Sequence, residues 1–90
     1  MPWQFADGVK VASCGDTAFL LDVSRAKYFG LNEIGTEVCL GIEANEDTES
    51  IVRRIECRYS GADHEQIVRD VLEFLNHLDK LNICRKDRER

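Results

Sequence analysis

The side chains best suited to chemistry are four cysteines, Cys14, Cys39, Cys57 and Cys84, and two histidines, His64 and His77. Zinc sites usually draw on pairs of ligands roughly two to four residues apart, because one short turn must present both to the same ion. Here the cysteines stand 25, 18 and 27 residues apart and the histidines 13. Neither a structural metal, a disulfide nor a nucleophilic Cys-His pair is expected, and the thiols read as reduced, mostly buried small hydrophobes. Acid–base chemistry is no better supplied. Asp16 falls in a turn, Asp22 ends a strand, and the remaining helix carboxylates are spaced for solvated faces, so no acid, base and nucleophile converge. The chain is expected to be no enzyme, with no catalytic residue, metal or cofactor, and to work as a surface.

Ninety residues, 43% of them hydrophobic, have material for one small core and little for a deep cleft. The formal charge of −5 opposes phosphate binding, which needs clustered Lys and Arg, so no nucleic-acid partner is expected. Attraction to an anionic membrane surface is disfavoured for the same reason. No apolar run approaches the roughly 18 residues of a spanning helix, and Met1 to Asp7 has neither a basic start nor an apolar targeting core. A cytoplasmic location is the expectation.

The elements follow from pattern. Val9 to Cys14 and Thr17 to Val23 are rich in strand formers and are divided by Gly15-Asp16, which reads as a hairpin turn. After Ser24-Arg25-Ala26, Lys27 to Leu31 makes a third strand, so a three-stranded antiparallel meander opens the domain with its first and third strands as edges. From Asn32, a good N-cap type, Ile34, Val38 and Ile42 recur every four residues and mark a helix of about ten residues. Gly35 inside it points to close packing. Asp47 or Thr48 starts a second helix with the stripe Ile51, Val52, Ile55 and Tyr59, and Asp63 with Gln66 resembles a capping box for a third. That helix, near His64 to Leu81, would be about 27 Å long. Asn82 suits the left-handed residue that ends it. Residues 1–84 form a single α+β domain, a winged helix-turn-helix with three strands followed by three helices, and 85–90 a charged flexible tail.

The third helix has a wide apolar arc. Ile67, Val71, Phe74, Leu78 and Leu81 form one stripe, and Val68, Leu72 and Leu75 extend it by roughly a third of a turn. One stripe suffices to bury a helix, so Val68 and Leu72 are expected to line a groove open to a ligand. The third strand would be the other wall, its free N–H and C=O groups able to take an extended peptide as an added strand. A DNA-binding winged helix is the architectural competitor. Its recognition helix would carry Glu65, Asp70, Glu73 and Asp79 against Arg69 and Lys80, a balance that repels phosphate. An assembly or dimerisation module using the same edge is the alternative.

Leu20-Leu21-Asp22, then Lys27-Tyr28-Phe29-Gly30-Leu31-Asn32-Glu33-Ile34-Gly35-Thr36-Glu37-Val38, Thr48-Glu49-Ser50-Ile51 and Asp70-Val71-Leu72-Glu73-Phe74-Leu75 together resemble the PqqD-like peptide chaperones, also called RiPP recognition elements. The resemblance spans about residues 7 to 84. It is nearer to the stand-alone leader-binding proteins of lasso-peptide biosynthesis than to the pyrroloquinoline-quinone members, whose Pro-Glu before the third strand is missing. Two departures stand out: Cys39 where many relatives have Trp, and Asn82 where many have Gly. The resemblance implies that a precursor's leader peptide adds antiparallel to the third strand and is delivered to a processing enzyme, a leader peptidase and then an ATP-dependent cyclase in lasso systems. Carried over, Lys27, Tyr28, Phe29 and Leu31 would form the strand wall and Val68, Val71, Leu72 and Leu75 the helix wall.

Overall fold

The computed structural model describes residues 3–15 and 17–86. Its strands are β1 (Trp3–Phe5), β2 (Val9–Cys14), β3 (Thr17–Asp22), β4 (Lys27–Leu31) and β5 (Cys84–Lys86), and its helices α1 (Glu33–Glu43), α2 (Thr48–Arg58) and α3 (His64–Lys80). β2, β3 and β4 form the expected antiparallel meander. Cys14 pairs with Thr17 across the turn, where Gly15 takes a φ of 64°; its neighbour Asp16 lies outside the described residues. The middle strand is shorter than expected. Val23 leaves it to begin a single 3-10 turn, Val23–Arg25, closed by Ala26 in the left-handed region at φ 54°.

The inner face of this wing carries Val11, Leu20 and Phe29 in one row, and Leu20 is fully buried. Asn32 accepts the Gly35 N–H at 2.7 Å and so starts α1 directly from β4, while Asp47 caps α2 by accepting from Ser50 at 2.9 Å. The capping box expected at α3 does not form. Asp63 precedes the helix without a side-chain cap, and Gln66 instead donates to Asp70 one turn on, at 2.8 Å. Asn82 takes φ 61° after the helix, as its type predicts.

Ile51, Ile55, Val38, Val71 and Leu75 meet in the helical core. α1 and α2 approach so closely at Gly41 that a Cβ there would stand 2.5 Å from Ile51 Cγ1, which explains the glycine. Beside that contact the buried Glu37 carboxylate accepts from Arg54 Nε at 3.0 Å and from Arg58 Nη1 at 3.1 Å, and Arg54 also pairs with Glu46.

The ends of the chain depart most from expectation. Trp3, Gln4 and Phe5 pair antiparallel with Lys86, Arg85 and Cys84, a two-stranded ribbon separate from the wing. Arg85 and Lys86, assigned above to a frayed tail beyond a boundary at 84, are therefore part of the fold; 87–90 lie outside the described residues. The reason is that ladder bonds use only main chain, so these two charged side chains stay exposed while Trp3 and Cys84 turn inward.

Candidate functional site

β4 pairs with β3 along one edge, and its other edge has no strand partner among the described residues. Residues directly opposite in the register share a face, so Phe29 beside Leu20 and Leu31 beside Ala18 point inward, while Tyr28 beside Leu21 and Gly30 beside Phe19 point outward. Tyr28 is 70% exposed and leans edge-on against Phe19.

Because Asn32 turns the chain straight from β4 into α1, the free edge of β4 runs into the first turn of that helix. Facing this junction is α3. Its Phe74 ring lies 3.2 Å from where a Cβ on Gly35 would stand, the close packing that a glycine inside a helix signalled. A cavity of about 440 Å³ opens there, lined by Asn32, Ile34, Gly35, Asp70, Glu73 and Phe74. At the far end Arg25, in the 3-10 turn just before β4, donates to the Leu81 carbonyl at the end of α3 at 2.8 Å. The same guanidinium lies 3.6 Å from the buried Asp22 carboxylate, which also accepts from the Ser24 hydroxyl at 2.9 Å. Both ends of β4 are thus tied to α3, and a groove lies between them. At the α1 end its lining is mixed, apolar from Ile34 and Phe74 and polar from Asn32, Asp70 and Glu73; Leu31 borders a separate cavity of about 400 Å³ with Arg58 and Tyr59, and Lys27 stands at the other end of β4.

The helix residues expected from sequence do not line this cavity. Val71 and Leu75 are 0% exposed and belong to the core. Val68 and Leu72 are accessible on another flank: they line a depression of about 550 Å³ with His64, Glu65, Arg69, Asn76 and Glu73, the last shared with the cavity above, and Leu72 also borders Trp3 and the start of α2. Two residues along a helix rotate the side chain by about 200°, so Leu72 and Phe74 cannot share a flank. The cavity residues that the sequence reading did not name for the site are Ile34, Gly35, Asp70, Glu73 and Phe74; the signals available were Gly35 and the Asn32 cap.

The remaining reactive groups lie apart from the groove. Cys39 and Cys84 are buried, and burial pushes both thiols up to about 12. Cys14 and Cys57, against the expectation of mostly buried thiols, are exposed. Their strand-end and outer helix positions explain this, since neither faces the core. His64 pairs with Glu56, whose carboxylate raises the imidazole pKa. Among the described residues no group of three or more His, Cys, Asp or Glu side chains is placed to hold a metal ion, and no helix is long and apolar enough to cross a membrane.

The family model described as coenzyme PQQ synthesis protein D (PqqD) matches residues 17–83, well over half of the sequence. The chain belongs to the PqqD family. Among solved structures, this PqqD-family chain is similar to TbiB1 in complex with the TbiA(beta) leader peptide, at 28% identity, a TM-score of 0.82, and coverage of 96% of this chain and 99% of that one. It also shares its fold with lasso peptide synthetase B1 complexed with the leader peptide, at 14% identity and a TM-score of 0.82, covering 96% and 100%. A search of curated proteins finds no match. The fold of this PqqD-family protein is accordingly α+β, a winged helix-turn-helix in which antiparallel strands precede three helices.

Proposed function

We propose that this protein is a non-catalytic recognition element that binds the leader segment of a ribosomally made precursor peptide. The observation that carries the reading is the free β4 edge beside a cavity between the start of α1 and α3, where Ile34 and Phe74 are flanked by Asn32, Asp70 and Glu73. An extended leader would add antiparallel to Lys27–Leu31, exchange main-chain hydrogen bonds with β4, and drop alternate side chains onto Phe29, Leu31, Ile34 and Phe74. Tyr28 would flank its outward residues and Lys27 the end nearer Arg25. The similarity to TbiB1, solved with a leader peptide, supports this choice of ligand. Once bound, the precursor would be presented to a modifying enzyme of the same biosynthetic route: a leader peptidase, then a cyclase, if the product is a lasso peptide.

The test is titration of the isotope-labelled protein with a synthetic leader segment of a candidate precursor peptide. Backbone amides of Lys27–Leu31 and of Asp70–Phe74 should move. Shifts confined to the β2 edge or to α2 would refute the groove. A concentration-dependent dimer that buries β4 and excludes the peptide would favour an assembly module instead.

A further inference from the structure

An extended peptide on β4 turns every second side chain away from α3, onto the outer face of the sheet. That face is uneven. Ala12, Phe19 and Gly30 stand in one row across β2, β3 and β4, so the row ends without a side chain on the strand whose edge is free. Nothing lies within 4 Å of where a Cβ on Gly30 would be. Its backbone is not in the left-handed region, so no turn requires glycine there. Phe19 is half-buried, and the ring of Tyr28, two residues before Gly30 on the same face, meets it edge-on with centroids 6.1 Å apart and planes at 74°. The result is an open notch with the Gly30 main chain as its floor, Phe19 behind it and Tyr28 along one side.

A glycine inside a strand forgoes packing, and such positions often mark close approach of a ligand or another chain. An aromatic side chain on a neighbouring strand can cover an edge glycine and restore the lost contact. We propose that the Gly30 notch is a side-chain subsite: it receives a large apolar, preferably aromatic, side chain from the outward-facing peptide residue opposite Gly30, laid over the glycine onto Phe19. The inference rests on strand addition to β4 and adds a specificity element on the face away from α3. The peptide is then read on both sides, by Phe74 and its neighbours within the groove and by Phe19 and Tyr28 outside it.

The probe is a phage-displayed library of random 15-residue peptides panned on the wild-type protein and on Gly30→Val, which fills the notch while leaving the β4 main chain free. Wild-type selection should enrich Phe, Tyr, Trp or Leu at one position among those that alternate with the groove-facing ones, and Gly30→Val should lose that preference alone. For the best synthetic peptide, changing this residue to Ala should weaken binding to wild type about tenfold and to Gly30→Val less than twofold. Tyr28→Ala, at an exposed position, provides a second variant if Gly30→Val melts early, and it should shrink the tenfold difference severalfold. An undiminished preference in the well-folded variants overturns the notch and leaves strand addition standing. Selected peptides that fail to move the amides of Lys27–Leu31 overturn both.

Discussion

Phe74 and Leu72 are two positions apart on α3 and both are apolar, yet they answer to different neighbours. Phe74 packs beside Gly35 at the end of the β4 groove, whereas Leu72, 43% exposed, borders the start of α2. If a leader side chain rests on Phe74, burial of that order contributes about 1.5 to 3 kcal/mol. Phe74→Ala should then weaken leader binding roughly tenfold to 150-fold, and with its ring partly buried it should also lower the stability of the fold. Leu72→Ala should change affinity less than twofold. Calorimetric titration of both variants checks the pair, and the reverse pattern would return the ligand to the Val68 and Leu72 flank. At this scale the sequence was legible in kind. It showed a helix with more apolar surface than one core contact needs, but not which side of the arc would be left for a ligand.

At the scale of elements, the meander, the three helices and two of their three caps follow from local signals, because Asn32 and Asp47 act on amides three residues away. The ribbon of β1 and β5 has no such signal. Each strand is three residues long, too short for periodicity to register, and the pairing joins residues more than 75 positions apart. Trp3 makes the ribbon consequential, since it is 7% exposed and belongs to the same core cluster as Cys39, the position where the resemblance leads one to expect Trp. Trp3→Ala should cost about 3 to 5 kcal/mol. A chain ending at residue 84 loses the partners of Trp3 and Gln4 and should unfold at lower urea concentration, with the emission of Trp3, the sole tryptophan, shifted to the red. Unchanged urea midpoint and emission in the truncated chain would mean that the ribbon does not form in solution.

For the molecule as a whole, burial makes the two core thiols a source of alkaline sensitivity. Cys39 and Cys84 are pushed up to about 12 in the fold, against an ordinary 9.0. Below pH 9 both states hold these protons and stability does not depend on them. Above it the unfolded chain releases protons that the native chain retains, so stability should fall by up to about 1.4 kcal/mol per pH unit for each thiol until the native groups also ionise. Urea midpoints measured from about pH 8 to 11 should fall with pH, and the decline should be shallower in a Cys39→Ala, Cys84→Ala variant; equal slopes would show that the thiols are not the cause. The sequence by itself determined the class of the fold, the order of its main elements, a net charge unsuited to phosphate and a free strand edge, because each depends on composition or on neighbours a few residues apart. Tertiary structure alone decided that Phe74 and Asp70, rather than Val68 and Leu72, line the cavity at the start of α1 where β4 ends. The rotation of α3 relative to the wing is set by contacts distant in sequence, Phe74 on Gly35 and Arg25 on the Leu81 carbonyl, and no periodicity within one helix can specify which of its flanks another element will cover.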